Sequence, residues 1–275
     1  MRPLIALLRS SHPGPVVAVT TITVLLGVTV GLDAARVALL GATMLLNQLS
    51  VGWANDVIDA GRDRAVGRTD KPIVRGEIPA RAVGVAAGLA AAGSLGLSFA
   101  LGLPFVLAHA LCLAGGWAYD LGIKRTAFSA VPYLASFGVL PLLPTTALPE
   151  PALAAWWAVV AGALLGLAAH VANVLPDLEA DARTGVRGMP HRLGATVSVV
   201  LAGAALAGAG VAVALGIGTP LALAGLVVSL AVSAAAVVLC LRRKRAGFRL
   251  VMVAALVDVV LLVLAGPALA VPFPA

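Results

Sequence analysis

Two acidic stretches stand out in this 275-residue chain, whose charged residues make up only 11%. The first, NDVIDAGRD, sets Asn55, Asp59 and Asp63 four residues apart. The second, NVLPDLEAD, does the same with Asn173, Asp177 and Asp181. Residues i, i+4 and i+8 share one face of a helix. Each stretch therefore presents one amide and two carboxylates in a stripe. Gln48 lies further up the first stripe and His170 further up the second, while Asp56 sits at the edge of its stripe and Glu179 points away. Four carboxylates facing a common space repel one another unless a cation intervenes. Carboxylate and amide oxygens are hard donors that suit Mg2+, which phosphate oxygens and water usually complete. The flanking cations Arg68, Lys71, Arg75, Lys124 and Arg187 suit the same anion. The pattern reads as a metal–diphosphate site.

The loops after the two ladders are related. NDVIDAGRDRAVGRTDKPIVRG (55–76) and NVLPDLEADARTGVRGMPHRLG (173–194) align without a gap at a constant offset of 118. Six of 22 positions match: Asn55/Asn173, Asp59/Asp177, Asp63/Asp181, Gly67/Gly185, Pro72/Pro190 and Gly76/Gly194. The offset spans four expected helices. An even number of crossings returns the chain to the same side, so the repeat is parallel, and sites in repeated membrane folds commonly lie between the halves.

The elements that carry the ladders follow from composition. The chain is 61% hydrophobic with 30 Gly, which is membrane-protein composition. A spanning helix needs about 20 apolar residues. Nine segments qualify, at roughly 14–32, 36–58, 80–102, 104–122, 128–147, 153–176, 193–215, 219–241 and 248–270. Lipid cannot satisfy backbone groups, so a span is a helix or a closed barrel, and these runs are too long for barrel strands. The expected fold is an all-α integral membrane protein, a single domain over 1–275. Repeat one covers about 14–122, repeat two about 128–241, and an extra helix about 248–270.

With a cytoplasmic N-terminus, 18 of the 19 basic residues fall inside or at inner helix ends, and only Arg36 lies outside. The net charge of +7 is then topology rather than a nucleic-acid footprint. The RRKR run at 242–245 suits anionic headgroups. Cys112 and Cys240 lie far apart in expected helices and read as small buried apolar residues, not a disulfide. The first apolar run lacks a small-residue cleavage site and reads as a span, not a signal peptide. Arg far outnumbers Lys, and Ala, Gly and Val abound. This composition points to a high-GC bacterial genome and so to a bacterial inner membrane, and the basic-residue count puts the site on its cytoplasmic side.

Some polar residues have plainer readings. Arg62, Arg64, Arg81 and Arg183 read as topology and headgroup contacts. Asp120 reads first as a helix-end charge and second as a further site acid. Asp258, mid-span in the last helix, reads as a paired or protonated structural acid or else a functional one, and His109 either partners it or satisfies a backbone group. His170 either contacts substrate or is a satisfied core histidine. Tyr119 and Trp117 are candidate pocket residues.

At the ladders the chain resembles the UbiA superfamily of intramembrane prenyltransferases. Asn55-Asp56-x-x-Asp59-x-x-x-Asp63 is similar to its NDxxDxxxD motif, and Asp177-x-x-x-Asp181 to its DxxxD motif. RTDKPIVRGEI and TGVRGMPHRLG resemble the loops that follow each motif. YDLGIKR (119–125) resembles a Tyr-then-Lys turn with one residue added, and RSSHPGP (9–15) the charged entry to the first helix. The resemblance implies Mg2+-dependent transfer of an isoprenyl group from a prenyl diphosphate to a lipophilic acceptor. By that analogy Asn55, Asp59, Asp63, Asn173, Asp177 and Asp181 hold two Mg2+ ions bridged by diphosphate, with Asp56 in support. Arg68, Lys71, Lys124 and Arg187 neutralise the anion further. Two other functions remain open at this point. A terpene cyclase of the same superfamily would use the same metals, although the 4% aromatic content favours transfer to an acceptor. A secondary transporter fits the repeat, but its site would sit at the midplane rather than at one face.

Overall fold

The computed structural model describes residues 2–242 and 245–273. Arg243 and Lys244 of the basic run lie outside the described residues. The described part contains twelve α-helices: α1 (Arg2–Arg9), α2 (Pro13–Val30), α3 (Ala34–Ala65), α4 (Ala80–Ser98), α5 (Leu103–Leu121), α6 (Val131–Val139), α7 (Leu142–Thr146), α8 (Trp156–Val174), α9 (Leu178–Arg183), α10 (Met189–Ile217), α11 (Pro220–Leu241) and α12 (Arg245–Leu264). Six of them are long and apolar enough to cross a membrane: α2, α3, α4 with the turn after it, α8 with the turn after it, α10 and α11.

Helix starts follow local chemistry. Proline opens α2, α5, α6, α10 and α11, where a missing N–H costs nothing. Asp33 caps α3, its side chain accepting from the Arg36 backbone N–H at 2.9 Å. Arg36 itself donates to the Ala147 carbonyl at 2.7 Å.

The largest apolar cluster joins α2, α8, α10 and α12 through Leu26, Trp157, Ala161, Leu206 and Leu261. A second packs α1 and α4 against α3 around Trp53, closed by Ile73 and Ile78 of the loop after α3. The outward faces stay apolar. Leu89, Leu107, Leu215 and Val227 are each more than 60% exposed. The most apolar window of α11 is only 17% buried within the protein. Such a surface is costly in water and ordinary in lipid.

Four departures from the sequence reading have physical causes. First, α1 precedes the first expected span; it is amphipathic, burying Ala6 and exposing Leu4, Ile5 and Leu8. Second, the fifth expected helix, 128–147, is broken into α6 and α7. Pro141 lacks the N–H that would continue the helix back to Phe137. Third, the sixth expected helix does not carry its ladder on one continuous face. After Val174 the chain tightens into a 3-10 turn, Leu175–Asp177, before α9. Pro176 stands there, where the first repeat has Ile58. Fourth, a short antiparallel ribbon pairs β1 (Ala152–Ala154) with β2 (Ala270–Pro272). It adjoins the start of α8, about 28 Å by helix rise from the ladder end.

Small residues let α6 and α8 approach closely. A Cβ on Gly162 would meet the Phe137 carbonyl, and one on Gly166 the Tyr133 carbonyl. Backbone cannot yield as a side-chain tip can. Gly166→Val should therefore cost at least about 1–3 kcal/mol and displace Tyr133. Thermal unfolding in detergent checks this against Gly88→Val on α4, where a Cβ meets nothing within 4 Å. Equal midpoints for the two variants would refute the close-packing account.

Candidate active site

The first ladder stands on the last turns of α3, where Asp56, Asp59 and Asp63 are all buried. The second is spread over the end of α8, the 3-10 turn and α9. Because Pro176 unwinds that segment, the Asp177 side chain is 50% exposed and that of Asp181 21%. The two ladders nevertheless face one polar chamber. Asn55, Asp59, Asp63, Asn173, Asp177 and Asp181 all line it.

Basic side chains hold the carboxylates. Asp59 Oδ2 accepts from Lys124 Nζ at 2.8 Å and from Arg62 Nη2 at 2.9 Å. Arg62 Nη1 reaches Asp181 Oδ1 at 3.4 Å. Asn55 Nδ2 donates to Asp120 Oδ1 at 2.7 Å, and Lys124 lies 3.6 Å from the same oxygen. Lys71 Nζ donates to Asp56 Oδ1 at 2.6 Å and contacts His12 Nε2 at 2.9 Å. Arg68 grips Asp70 through two nitrogens, at 3.0 and 3.1 Å, and extends to Asp177 at 3.4 Å. The Asp70 hydrogen bonds push the Arg68 guanidinium further above its ordinary range and hold the Asp70 carboxyl below its own. Burial raises the Asp181 carboxyl, against the pull of Arg62.

The polar chamber, about 120 Å³, adjoins an apolar one of about 230 Å³. His12, Asn55, Tyr119 and Asn173 line both and form the neck between them. Val16 and Val19 of α2, Val51 of α3 and Cys112 of α5 form much of the apolar wall, with Gln48 also present. An aromatic group completes it. Tyr119 meets Tyr133 edge-on at 5.1 Å between centroids, and Tyr133 stacks on Phe137 at 6.1 Å. Glycines make room: a Cβ on Gly52 would strike the Ser11 carbonyl, and one on Gly116 the side chain of Val51.

The model of the UbiA prenyltransferase family matches residues 16–257. The chain belongs to the UbiA prenyltransferase family. Solved structures agree on the fold. A digeranylgeranylglyceryl phosphate synthase structure is similar at TM-score 0.74 and 14% identity, covering 98% of this chain and 99% of that one. A UbiA homologue from Archaeoglobus fulgidus bound to GPP and Mg2+ is similar at TM-score 0.73 and 14% identity, covering 94% and 99%. One from Aeropyrum pernix K1 has TM-score 0.69 and 17% identity, covering 96% and 98%. A search among curated proteins found no match. This UbiA-family chain is thus a multi-pass membrane protein with a membrane prenyltransferase fold.

Within that fold the expected site residues divide. The six ladder residues, Arg68, Lys71, Lys124 and Tyr119 line the polar chamber. Arg187 does not; its side chain is exposed. Arg75 is exposed and pairs with Glu77 at 2.8 Å. Asp56 lies behind the chamber, engaged by Lys71 and His12. His170 is fully buried off the lining, bonded to Ser129 Oγ at 3.0 Å, and Ser129 also takes the Met189 backbone N–H at 2.7 Å. These two bonds link α8 to the turn before α6 and to the start of α10. Trp117 donates to Ser50 Oγ at 3.0 Å.

Two sequence readings need correction. Asp120 is not a helix-end surface charge: it is 2% exposed and bonded to Asn55. Arg62 is not a headgroup residue: it lines the chamber and touches both ladders, whereas Arg64, Arg81 and Arg183 are exposed. His12 belongs to the RSSHPGP entry to the first helix, but the resemblance assigns it no role. It adopts a left-handed φ of 56°, rare for a non-glycine residue, at the entry to α2, which turns it toward Asp56. Asp258 lies apart, fully buried beside Gly210 and Ser229, and His109 pairs with Asn47 at 3.1 Å instead.

Among the described residues, no three His, Cys, Asp or Glu side chains converge closely enough to hold a metal ion. In this arrangement Arg62, Arg68 and Lys124 nitrogens engage one oxygen each of Asp59, Asp177 and Asp181. The donor set still fits Mg2+, being carboxylate and amide oxygen throughout. Asp59 Oδ1 is buried with no hydrogen-bond partner, an anion oxygen that a cation would satisfy.

Proposed function

We propose that this protein transfers an isoprenyl group from a prenyl diphosphate to an aromatic or other lipophilic acceptor, with Mg2+ held by Asn55, Asp59, Asp63, Asn173, Asp177 and Asp181. The observation that carries this reading is the pair of joined chambers, charged and apolar, meeting at a four-residue neck. A prenyl diphosphate has the same two-part character. Structural relatives were captured with GPP or with DMAPP, each together with Mg2+.

Bound Mg2+, expected as two ions bridged by diphosphate, would offset the charge that develops on the leaving group. Lys124 and Arg68 add positive charge to the polar chamber, and Lys71 supports it from Asp56. The apolar chamber takes the tail and keeps water from an allylic cation. Tyr119, Tyr133 and Phe137 line that chamber, and aromatic rings there can stabilise such a cation. The C–O bonding pair leaves with diphosphate, an electron pair of the acceptor forms the new bond, and the acceptor loses a proton.

The aromatic wall gives the cyclase reading a specific footing. The chain is poor in aromatic residues overall, yet both of its tyrosines and Phe137 stand at the chamber. Low aromatic content therefore does not separate the two reactions. A product screen does: prenyl diphosphates of increasing length, with and without a panel of acceptors, read by mass spectrometry. Transfer predicts a prenylated acceptor and little turnover without one. A cyclic hydrocarbon formed without acceptor would replace this reading. Chelation by EDTA should remove essentially all diphosphate release, and added Mg2+ should restore it; full activity in EDTA would exclude the metal role.

The same reading includes nine spans in one domain, a cytoplasmic N-terminus and site in a bacterial inner membrane, and a parallel repeat. The positive-inside count supports the orientation. Matching helix ends support the repeat. Gly67 and Gly185 share left-handed φ values of 71° and 82°. Arg68 N–H bonds the Asp63 carbonyl at 2.9 Å, as Val186 N–H bonds that of Asp181 at 3.0 Å. Both pairs keep the offset of 118.

A further inference from the structure

Among the described ion pairs, one side chain touches carboxylates of both ladders. Arg62 stands on α3 between Asp59 and Asp63, with its side chain 20% exposed. It places Nη2 at 2.9 Å from Asp59 Oδ2 and Nη1 at 3.4 Å from Asp181 Oδ1. A planar guanidinium can serve two separate acceptors at once; a compact ammonium reaches them less well. Asp59 Oδ2 is already served by Lys124, so Arg62 is not needed to neutralise Asp59 alone. What Arg62 adds is the link across to α9. Its fork bridges the two ladders at the chamber that both line, where the Mg2+ reading puts a cation.

We propose that Arg62 is a displaceable counter-cation, which ties the two ladders together and gives way when a divalent cation takes their oxygens. The inference rests on the Mg2+ reading above. Repulsion among the facing carboxylates would otherwise splay α9 from α3, and Arg62 relieves it. A divalent ion on the same oxygens repels the guanidinium, so the two compete. Arg62 thus weakens metal binding while holding the ladders together. Once released, its donors lie beside the chamber that takes the diphosphate. Arg62 is on this account a positioning residue, acting on the substrate through the ladders.

The test uses full-length protein in detergent, without prenyl donor. Mn2+ binding is followed by loss of the free-ion paramagnetic resonance signal, and thermal unfolding is followed against Mg2+ concentration. Arg62→Gln should bind Mn2+ about tenfold more tightly than the wild type, the scale of a typical coupling between competing ligands. Its midpoint should be lower before Mg2+ is added and should rise further on addition. Arg62→Lys keeps the charge but bridges poorly, so it should tighten binding by a smaller factor, and it serves if the Gln variant does not fold. Unchanged Mn2+ affinity in these variants overturns the proposal, because Arg62 is then a fixed ion pair. Weaker affinity also overturns it, because Arg62 then orients metal-binding carboxylates. If the wild type and both variants take up no Mn2+, even with inorganic pyrophosphate, the Mg2+ reading itself fails and this inference falls with it.

Discussion

Asp59→Ala should reduce Mg2+-dependent diphosphate release by about 10³-fold or more, the loss expected when a main electrostatic element of a leaving-group site is removed. The carboxylate has two jobs. Its Oδ2 accepts from Lys124, Arg62 and, at 3.4 Å, Asn55, and its Oδ1 is buried without a partner. Removing it deletes a proposed metal donor and frees three side chains that it holds at the polar chamber. Asp59→Asn separates the two jobs. The amide keeps the shape and one acceptor oxygen but loses the charge, so the basic residues should stay closer to position while turnover stays low. Asp177→Ala should also abolish release with a smaller stability change, because its side chain is half exposed and touches only Arg68 among the ion pairs described. Diphosphate release and thermal unfolding in detergent check all three. Near-normal turnover in both Asp59→Ala and Asp177→Ala would make the metal assignment wrong.

Lys124→Met should destabilise the protein by about 3–5 kcal/mol and eliminate turnover, because it leaves buried carboxylates without their cation. Lys124 is 4% exposed at its side chain, and its partners Asp59 and Asp120 are 5% and 2% exposed. Arg62 still touches Asp59, but Asp120 retains only the Asn55 amide. Adding Asp120→Asn should therefore return a good part of the lost stability, with a coupling of about 0.5–3 kcal/mol between the two sites. It should not return turnover, since the positive charge in the polar chamber is still missing. The double-mutant cycle checks this by unfolding midpoints and diphosphate release. Additive destabilisation would mean that Lys124 and Asp120 do not interact, and recovered turnover would remove Lys124 from the chemistry.

The ladders were legible because helical periodicity is local. A residue's face on α3 is set by its distance along the chain, and α3 runs unbroken through Asp63. The same rule failed on the second ladder, although its decisive residue was in view. Pro176 denies the helix an N–H and bends the segment, so Asn173, Asp177 and Asp181 reach the chamber from three different elements. The break between α6 and α7 at Pro141 has the same cause. Proline inside an apolar run outweighs the run itself.

Arg62 and Asp120 were misjudged for a different reason. Spacing tells which way a side chain leaves its helix but not what stands opposite. Arg62 is three residues from Asp59, yet its second partner, Asp181, is 119 residues away in sequence. Asp120 ends a helix, where a charge usually meets water; here it meets Asn55 of α3. His12 stands in the quoted RSSHPGP entry, but its place beside Asp56 depends on a backbone conformation that the spacing does not announce. Arg187 is the opposite case: it is close in sequence to Asp181, yet its side chain is exposed and off the chamber lining.

By itself, then, the sequence determined the membrane character, the helical class, the two oxygen-rich ladders and the loops that end them. These depend on composition and on contacts within a few residues. Only the tertiary structure decided that the ladders share one chamber, that an aromatic wall adjoins it, and that Arg62 spans the gap while Asp56 is taken by Lys71 and His12. Those pairings join residues distant in the chain, and burial makes them strong. Away from water, a carboxylate must find whichever cation the packing of the helices brings within reach.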